Sequence, residues 1–328
     1  MMAARAGERY DDGGSEGGIP PLPAGLAGRT AWWRRWEAPT WAVVVAVYGG
    51  FGLVTWFYDV LPWWAVLPLG GWFVCWQGSL QHEAVHGHPT RWRLANTLIA
   101  GAPLWLWLPY PIYRESHTAH HRGDDVLTLP GADPESYYLA AARWARLGPL
   151  RRGLLWFRNT LLGRLAIGPL YAYGELAKDE WRRLAAGDRR HLAAWAWHVP
   201  AVALVLGWAI GVCGIPFWAY VALFAYPGLS LTLLRSFAEH RPAAEPAHRT
   251  VVVEAAWPWR LLFLDNNYHA PHHARPSLAW YDLGAYYRAN RAAFLARNGG
   301  YRFAGYGAEA RRFLIRPKDA PVHPLATA

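Results

Sequence analysis

Histidine is the residue type whose spacing most clearly indicates chemistry in this chain. The chain has 14 histidines, and most of them lie in short clusters. The clusters are His82/His86, His117/His120/His121 and His269/His272/His273, and a single His240 lies apart from them. Residues three or four positions apart share one face of a helix. Each cluster can therefore direct its imidazoles at one point.

Convergent imidazoles predict a metal site, because imidazole is a good ligand for Zn, Cu, Fe and Ni. A single HxxHH pattern is as typical of a polar helix face. Two copies of it, together with a histidine pair one turn apart, favour a metal site much more strongly. Since one ion takes about four to five ligands, the clusters and His240 together predict two ions.

Two other functions fit part of the pattern. His82-Glu83-Ala84-Val85-His86 has the spacing of zinc proteases, in which two histidines bind zinc and the glutamate is the general base. An intramembrane protease of this kind would not account for the other clustered histidines. A metal transporter or sensor is the second alternative. Such proteins usually carry polar ligands inside their membrane spans, whereas these clusters lie just outside the apolar segments.

The composition is typical of an integral membrane protein. Hydrophobic residues make up 53% of the chain and charged residues 17%, against about 25% charged in a soluble domain. The net charge is +10, but arginines such as Arg34 and Arg35 flank apolar stretches, as in cytoplasmic loops of membrane proteins. This distribution argues against nucleic-acid binding. The two cysteines, Cys75 and Cys213, indicate neither a disulfide framework nor a zinc-thiolate site.

We expect an all-α membrane fold with four spans in two helical hairpins. A span needs about 20 mostly apolar residues. Four segments qualify, and they are Thr40–Val60, Pro62–Leu80, His191–Val212 and Ile215–Leu234. The arginines before the first span place the N-terminus, and with it the histidine clusters, on the cytoplasmic side. The clusters then form a cytoplasmic helical cap, provided that the apolar run Leu94–Pro111 is re-entrant or interfacial and does not cross.

The remaining segments complete the predicted organisation. Arg158 and Arg164 interrupt the apolar stretch Leu154–Leu176, which we expect to form an amphipathic helix at the interface. We expect a disordered tail over residues 1–37, a membrane domain over 38–315 and a C-terminal tail over 316–328. The disordered tail follows from the Gly- and Pro-rich composition of its first 28 residues.

The three histidine clusters, their order and their position after paired spans resemble the membrane fatty acid desaturase superfamily. This group includes acyl desaturases, acyl hydroxylases and bacterial carotenoid ketolases and hydroxylases, and the chain looks most like a bacterial fatty acid desaturase. The resemblance covers roughly residues 38–285. It implies that two irons are bound by His82, His86, His117, His120, His121, His240, His269, His272 and His273. It also implies a reaction that consumes O2 and two electrons from a redox partner.

Some residues depart from the family pattern or lie beside it. Pro271 falls inside the third cluster, which puts His269 near a helix start. Ser236 stands where some relatives have an Asn four residues before the lone histidine. We expect His88, next to the first cluster, not to be a ligand. Ligating histidines usually donate their other N–H to a carboxylate or carbonyl. The candidates near them in sequence are Glu83, Glu115, Glu239, Asp124, Asp265, Asn266 and Asn267, with Asn267 slightly favoured.

The sequence indicates a lipid-like substrate, because the spans supply an apolar environment. His120-His121-Arg122-Gly123 followed by Gly131-Ala132-Asp133-Pro134 resembles carotenoid ketolases and some bacterial acyl desaturases alike. We favour an acyl chain, with carotenoid oxygenation as the alternative, and desaturation and hydroxylation both stay open. The chain has no fused ferredoxin, flavin or cytochrome motif, so we expect a separate electron donor such as a ferredoxin. The expected location is the bacterial inner membrane.

Overall fold

The protein is described by a computed structural model that covers residues 18–26 and 31–326. The predicted tail over residues 1–37 therefore falls partly outside the described residues. The helices of the first part are α1 (Trp32–Arg35), α2 (Ala38–Trp56), α3 (Trp63–Val85), α4 (Arg93–Ala100), α5 (Tyr110–His120), α6 (Ala141–Ala145), α7 (Pro149–Arg158) and α8 (Leu161–Ala185).

The second part is also mostly helical and contains one small parallel strand pair, β1 with β2. Its elements are α9 (Leu192–Leu206), a π-helical turn (Gly207–Val212), α10 (Phe217–Tyr220), a second π-helical turn (Val221–Ala225), α11 (Tyr226–Glu239), a 3-10 turn (Pro246–Arg249), β1 (Val252–Val253), α12 (Trp259–Leu262), α13 (His269–Ala274), α14 (Trp280–Ala289), α15 (Arg291–Arg297), β2 (Arg302–Phe303) and α16 (Tyr306–Phe313).

Three helical stretches in the described part of the chain are long and apolar enough to cross a membrane. They are Ala38–Trp56, Leu192–Val212 and Phe217–Glu239, and they correspond to three of the four predicted spans. The remaining predicted span lies in α3, which has 23 residues but carries Gln77, Gln81 and His82 near its C-terminal end. Only 11% of the most apolar window of Leu192–Val212 is buried, so most of this surface is available to lipid.

Helix α3 lies at the centre and crosses α11 closely. An added Cβ on Gly228 of α11 would lie 2.4 Å from Cγ1 of Val74 in α3. An added Cβ on Gly70 of α3 would lie 2.6 Å from the carbonyl oxygen of Leu223. Both distances are too short for real Cβ atoms, so glycine is required for this approach. The crossing brings the C-terminal ends of the two helices, with their histidines, to the same end of the fold.

The segment predicted as re-entrant, Leu94–Pro111, is helical at its start, where α4 ends at Ala100, and again at its end, where α5 begins at Tyr110. Buried hydrogen bonds join the C-terminal end of α4 to α3. Gln77 Nε2 donates to the carbonyl oxygens of Ala100 and Ala102 at 2.9 and 2.7 Å, and Gln81 Nε2 also donates to Ala100 at 2.9 Å. Residues 103–109 are not helical and lead into α5, which carries the second histidine cluster.

The prediction of a single amphipathic helix over Leu154–Leu176 was wrong, because the helix is interrupted within this stretch. The stretch forms two helices, α7 and α8, because Thr160 caps a new helix: its hydroxyl oxygen accepts from Gly163 N at 2.9 Å. Arg158 and Arg164 lie on either side of this break and are only 4% and 6% exposed. Both arginines therefore point into the protein and not toward solvent.

The segment after α16 packs against the body of the protein up to residue 326. Lys318 N donates to Asn159 O at 2.8 Å, and His323 N donates to Leu139 O at 2.9 Å. Leu139 N in turn donates to Pro321 O at 2.9 Å. The side chain of His323 is buried and its Nε2 lies 3.0 Å from the hydroxyl of Thr128. These contacts join residues 318–323 to the chain that follows the second histidine cluster.

Candidate metal centre

The histidine clusters all lie at helix ends. His82 lies in the last turn of α3 and His86 caps it, while His117 and His120 end α5 and His121 caps it. His240 is the residue that ends α11. The third cluster forms the short helix α13, which begins at His269. Pro271 is thus the third residue of α13 and lies in its first turn, where proline is tolerated.

The structure brings all nine predicted ligand histidines together in two adjoining groups. The first group is His82, His86, His117, His121 and His272, and the second is His120, His240, His269 and His273. Within each group the candidate ligand atoms lie within 4.8 Å of one another. The rings of His121 and His273 are stacked with centroids 4.2 Å apart, so the two groups are in direct contact.

The closest approaches within the groups are between Nε2 atoms. In the first group, His117 Nε2 lies 3.1 Å from His86 Nε2 and 3.2 Å from His121 Nε2. In the second, His240 Nε2 lies 3.0 Å from Nε2 of both His120 and His269. Two ligand nitrogens about 2.1 Å from a shared ion and at right angles would be about 3.0 Å apart. The spacings fit the edge of a coordination shell.

The outward-facing Nδ1 atoms show which nitrogen carries the hydrogen. His117 Nδ1 lies 3.0 Å from Glu135 Oε1, and His120 Nδ1 lies 2.8 Å from Asp133 Oδ1. A carboxylate accepts only, so these Nδ1 atoms are the donors. With the hydrogen on Nδ1, each ring in its neutral form presents its Nε2 lone pair to the neighbouring histidines, an arrangement that a cation between them would stabilise. The residues present therefore fit a site for two metal ions.

Electrostatics favour neutral imidazoles in most of the site. Burial first, and then the positive charge of neighbouring histidines, lowers the pKa of His121, His272 and His273 well below the usual range. His120 differs: burial alone would lower its pKa, but Glu135 and Asp133 raise it to about 9. Since imidazole binds a metal in its neutral form, binding of a metal at His120 would release a proton below that pH.

Among the polar residues close in sequence to the candidate ligand histidines, only some lie near an imidazole in the structure. Glu83 Oε1 lies 3.6 Å from His82 Nδ1, and Glu239 Oε1 lies 3.7 Å from His269 Nδ1. The closer partner of His269 is Asn266, whose Oδ1 lies 3.0 Å from Nδ1.

The other candidates contact different groups. Glu115 lies 3.5 Å from His191, a histidine of neither group. Asp265 pairs with Arg260 at 2.7 Å, and Asp124 pairs with Arg297 at 3.1 Å. Asn267 Nδ2 donates to the carbonyl oxygen of Val253 at 2.7 Å. The structure therefore does not bring Glu115, Asp124, Asp265 or Asn267 to a ligand histidine.

Asp133 and Glu135 were missed as partners of the ligands. Asp133 is 4% exposed and also accepts from the backbone N of Thr128 at 2.8 Å and of Glu135 at 2.9 Å. These bonds fix the carboxylate of Asp133 independently of the histidine. The signal in the sequence was the Gly131-Ala132-Asp133-Pro134 motif, which supplies a carboxylate 13 residues after His120.

The residues singled out as departures lie beside the site. His88 belongs to neither group: its Nδ1 lies 3.1 Å from Glu37 and its Nε2 lies 3.2 Å from Ser277 O. The hydroxyl of Ser236 donates to the carbonyl oxygen of Leu233 within its own helix at 3.4 Å.

An apolar groove runs beside α3, α8, α11 and α12. It has a volume of about 540 Å³, and its lining includes Leu67, Trp72, Ala222, Ser230, Leu234 and Trp259. Leu262 also lines it, and its carbonyl oxygen accepts from Ser79 Oγ at 2.7 Å, one turn before His82. The groove wall is thus linked by a hydrogen bond to the helix that presents the first histidines.

Comparison with known proteins identifies the family. No curated protein sequence matches the chain. A family model described as fatty acid desaturase matches residues 59–305, which is well over half of the chain and includes all nine histidines of the two groups. The chain therefore belongs to the fatty acid desaturase family and is an oxidoreductase.

Proposed function

We propose that the protein is a membrane di-iron oxidase that uses O2 and two electrons to desaturate or hydroxylate a fatty acyl or other lipid chain. The observation that carries the proposal is the convergence of nine histidines in a group of five and an adjoining group of four, in a chain of the fatty acid desaturase family. Ordinary side chains cannot remove hydrogen from an unactivated C–H bond, and iron with O2 supplies that chemistry.

The protein's own residues hold and orient the ions in this proposal. The nine histidines of the two groups are the ligands, with Nε2 facing inward. Asp133 and Glu135 hold His120 and His117 in the required tautomer through Nδ1, as carboxylates commonly do for metal-bound histidines. The donor set of imidazoles suits iron, although imidazole alone does not distinguish iron from copper or zinc.

The zinc protease is a poorer fit to the site. A catalytic zinc has about three protein ligands and one open position, whereas His82 and His86 converge with three further histidines. Glu83, the general base of such a protease, accepts a hydrogen bond from the backbone N of Trp280 at 3.2 Å. It is also 2% exposed and so is remote from bulk water.

A lipid chain is the substrate that the apolar groove favours. Nearly all of its lining is hydrophobic, and Trp72 and Trp259 lie on its wall. The groove lies beside α11, which belongs to a stretch apolar enough to cross a membrane, so a chain can enter from the bilayer. We favour an acyl chain over a carotenoid, the alternative that the sequence left open.

The proposed topology has four spans, with α3 as the fourth membrane-crossing helix and with the metal centre on the cytoplasmic side of a bacterial inner membrane. The meeting of His117, on α5, with His86, on α3, supports a segment between them that does not cross. Electrons come from a separate donor of the ferredoxin type. If that donor is acidic and binds a basic cytoplasmic face, raising the salt concentration should slow turnover; a flat response would count against it.

The test is lipid and pigment profiling of cells that express the protein, with metal analysis of the purified protein. We expect about two irons per chain and new double bonds or hydroxyl groups in acyl chains. His272→Ala should abolish the new products while the protein stays in the membrane, and His248→Ala, in neither histidine group, should not. Oxidised carotenoids would favour the alternative substrate. Unchanged lipids and pigments, with one zinc per chain, would favour the protease.

A further inference from the structure

Tyr137 lies among three buried cationic side chains, which together with it form what we name the Tyr137 cluster. The guanidinium carbon of Arg164 lies 4.1 Å from the centre of the Tyr137 ring, and that of Arg158 lies 5.8 Å away. The ammonium of Lys318 lies 5.9 Å away. All three lie within the range of about 6 Å in which a cation is attracted to an aromatic ring.

The three cationic side chains of the Tyr137 cluster are buried and do not form a solvent-exposed surface. Arg158 and Arg164 are 4% and 6% exposed, and the side chain of Lys318 is 5% exposed. Buried donors of the arginines, Nε of Arg158 and both Nε and Nη2 of Arg164, have no hydrogen-bond partner in the described part of the chain. Burying a charge is costly, so the ring of Tyr137 is a main source of stabilisation for Arg164.

The segment that carries Tyr137 also carries the two carboxylates of the metal centre. Arg158 Nη2 donates to the carbonyl oxygen of Tyr137 at 2.7 Å. Ser136 Oγ donates to Thr128 O at 2.6 Å. The turn from residue 128 to residue 137 is therefore held at its end by the arginines. Its interior presents Asp133 to His120 and Glu135 to His117.

Lys318 connects the Tyr137 cluster to the second histidine group by another route. Its ammonium donates to the backbone carbonyl oxygen of His240, and it lies 5.8 Å from the ring of Phe237, three residues earlier in α11. Its backbone N donates to Asn159 O, at the break between the helices that carry Arg158 and Arg164. A single side chain thus contacts both the Tyr137 ring and the backbone of a ligand residue.

We propose that Arg164 and Lys318 hold the Tyr137 ring and thereby position Asp133, Glu135 and His240 for metal binding. The inference rests on the proposed dimetal function. Tyr137, Arg164 and Lys318 belong to neither histidine group and do not line the apolar groove, so they are positioning residues. The hydroxyl of Tyr137 also contributes to holding Arg164 and Lys318, so the aromatic face and the hydroxyl are tested separately.

The test is titration of the metal-free, detergent-purified protein with cobalt(II), followed by visible absorption and by competition with a chelator. Tyr137→Leu and Lys318→Met should weaken binding to the second histidine group by about tenfold, the lower end of the range for residues behind metal ligands. They should also shift the absorption bands of bound cobalt. Tyr137→Phe, which keeps the ring and loses only the hydroxyl, should bind cobalt more tightly than Tyr137→Leu and at most slightly less tightly than the wild type.

Arg152→Met is the matched control, because Arg152 lies 5.4 Å from the ring of Trp144 and donates to the carbonyl oxygens of Trp144 and Ala145. It removes a cation–aromatic contact from another part of the surface and should leave binding unchanged. Wild-type affinity and spectrum in both Tyr137→Leu and Lys318→Met would overturn the inference. So would a loss in Tyr137→Phe equal to that in Tyr137→Leu.

The experiment distinguishes failure of the positioning role from failure of the proposed dimetal function. Lys318→Met is a conservative change in volume, so it still tests the inference if Tyr137→Leu does not fold. Wild-type protein that binds fewer than two cobalt ions would contradict the proposed dimetal function itself. Wild-type protein that binds two ions, with variants that bind them equally well, would contradict only the positioning role.

Discussion

The imidazole of His120 donates its Nδ1 hydrogen to Asp133 across 2.8 Å. Because the carboxylate of Asp133 is itself held by two backbone N–H groups, it fixes both the tautomer and the orientation of the ring. We predict that Asp133→Ala lowers metal affinity by about 10- to 100-fold. Asp133→Asn, which keeps one acceptor oxygen, should lie between it and the wild type.

Chelator competition with purified protein measures this effect. Asp188→Ala removes a carboxylate that pairs with Arg190 at 2.7 Å, away from the histidine groups, and should have no effect on metal binding. Equal affinities for the Asp133→Ala and wild-type proteins would show that Asp133 does not support His120.

Separate ligand groups predict separable losses of metal. His240 belongs to the group of four and not to the group of five. His240→Ala should therefore lower the metal content from about two ions per chain to about one, and activity should be lost. Elemental analysis after dialysis measures the content, with His248→Ala as the control. Loss of both ions in His240→Ala would mean that the groups do not bind independently.

Glu309 predicts a pH dependence of stability. It is fully buried, and neither carboxyl oxygen has a hydrogen-bond partner among the described residues. Burial, only partly offset by the ammonium of Lys318, raises its pKa to about 8, against about 4.3 in an unfolded chain. Between these values the folded protein binds a proton that the unfolded chain has lost, so stability falls as pH rises and levels off above about pH 8.

Glu309→Gln removes this titration and keeps the shape of the side chain. We predict that its melting temperature equals that of the wild type near pH 4 and exceeds it at pH 8.5, by roughly 7 °C for a penalty on the order of 5 kcal/mol. The comparison of the two proteins cancels the titration of the histidines. A constant difference in melting temperature across this range would argue that Glu309 does not titrate in it.

The apolar groove predicts control of chain length. Ala222 lines the groove, so Ala222→Trp should displace part of a bound chain. Losing contact with two methylenes, at about 0.8 kcal/mol each, lowers binding of long chains by about tenfold relative to shorter ones. Product analysis with acyl chains of different lengths tests this, with Val45→Trp on the exposed side of α2 as the control. An unchanged length preference would place the substrate elsewhere.

The meeting of the nine histidines was predictable because local spacing and helix geometry decide most of it. Residues three and four apart share a helix face wherever the helix lies, and α5 and α13 both present their clusters in this way. Three of the four predicted spans followed from apolar length in the same manner. Because one helix supplies only part of a coordination shell, the separate helix ends were predicted to converge.

The supporting residues could not be predicted, because they depend on contacts between distant segments. Asp133 is 13 residues beyond His120, across a turn with no periodic pattern. Arg158 and Arg164 were expected to face the interface because their partner, Tyr137, belongs to a different segment. Lys318 falls in the segment predicted as a C-terminal tail, and nothing near it in sequence indicates that it reaches His240.

The position of Lys318 has a consequence for how the protein matures. All nine histidines are synthesised before residue 274, yet the ammonium that contacts the backbone of His240 follows more than 40 residues later. A chain shortened before residue 318 would insert its helices and keep every ligand while lacking this contact. Such a chain would therefore be expected to load metal less well than the full-length chain, although its whole set of histidines is present.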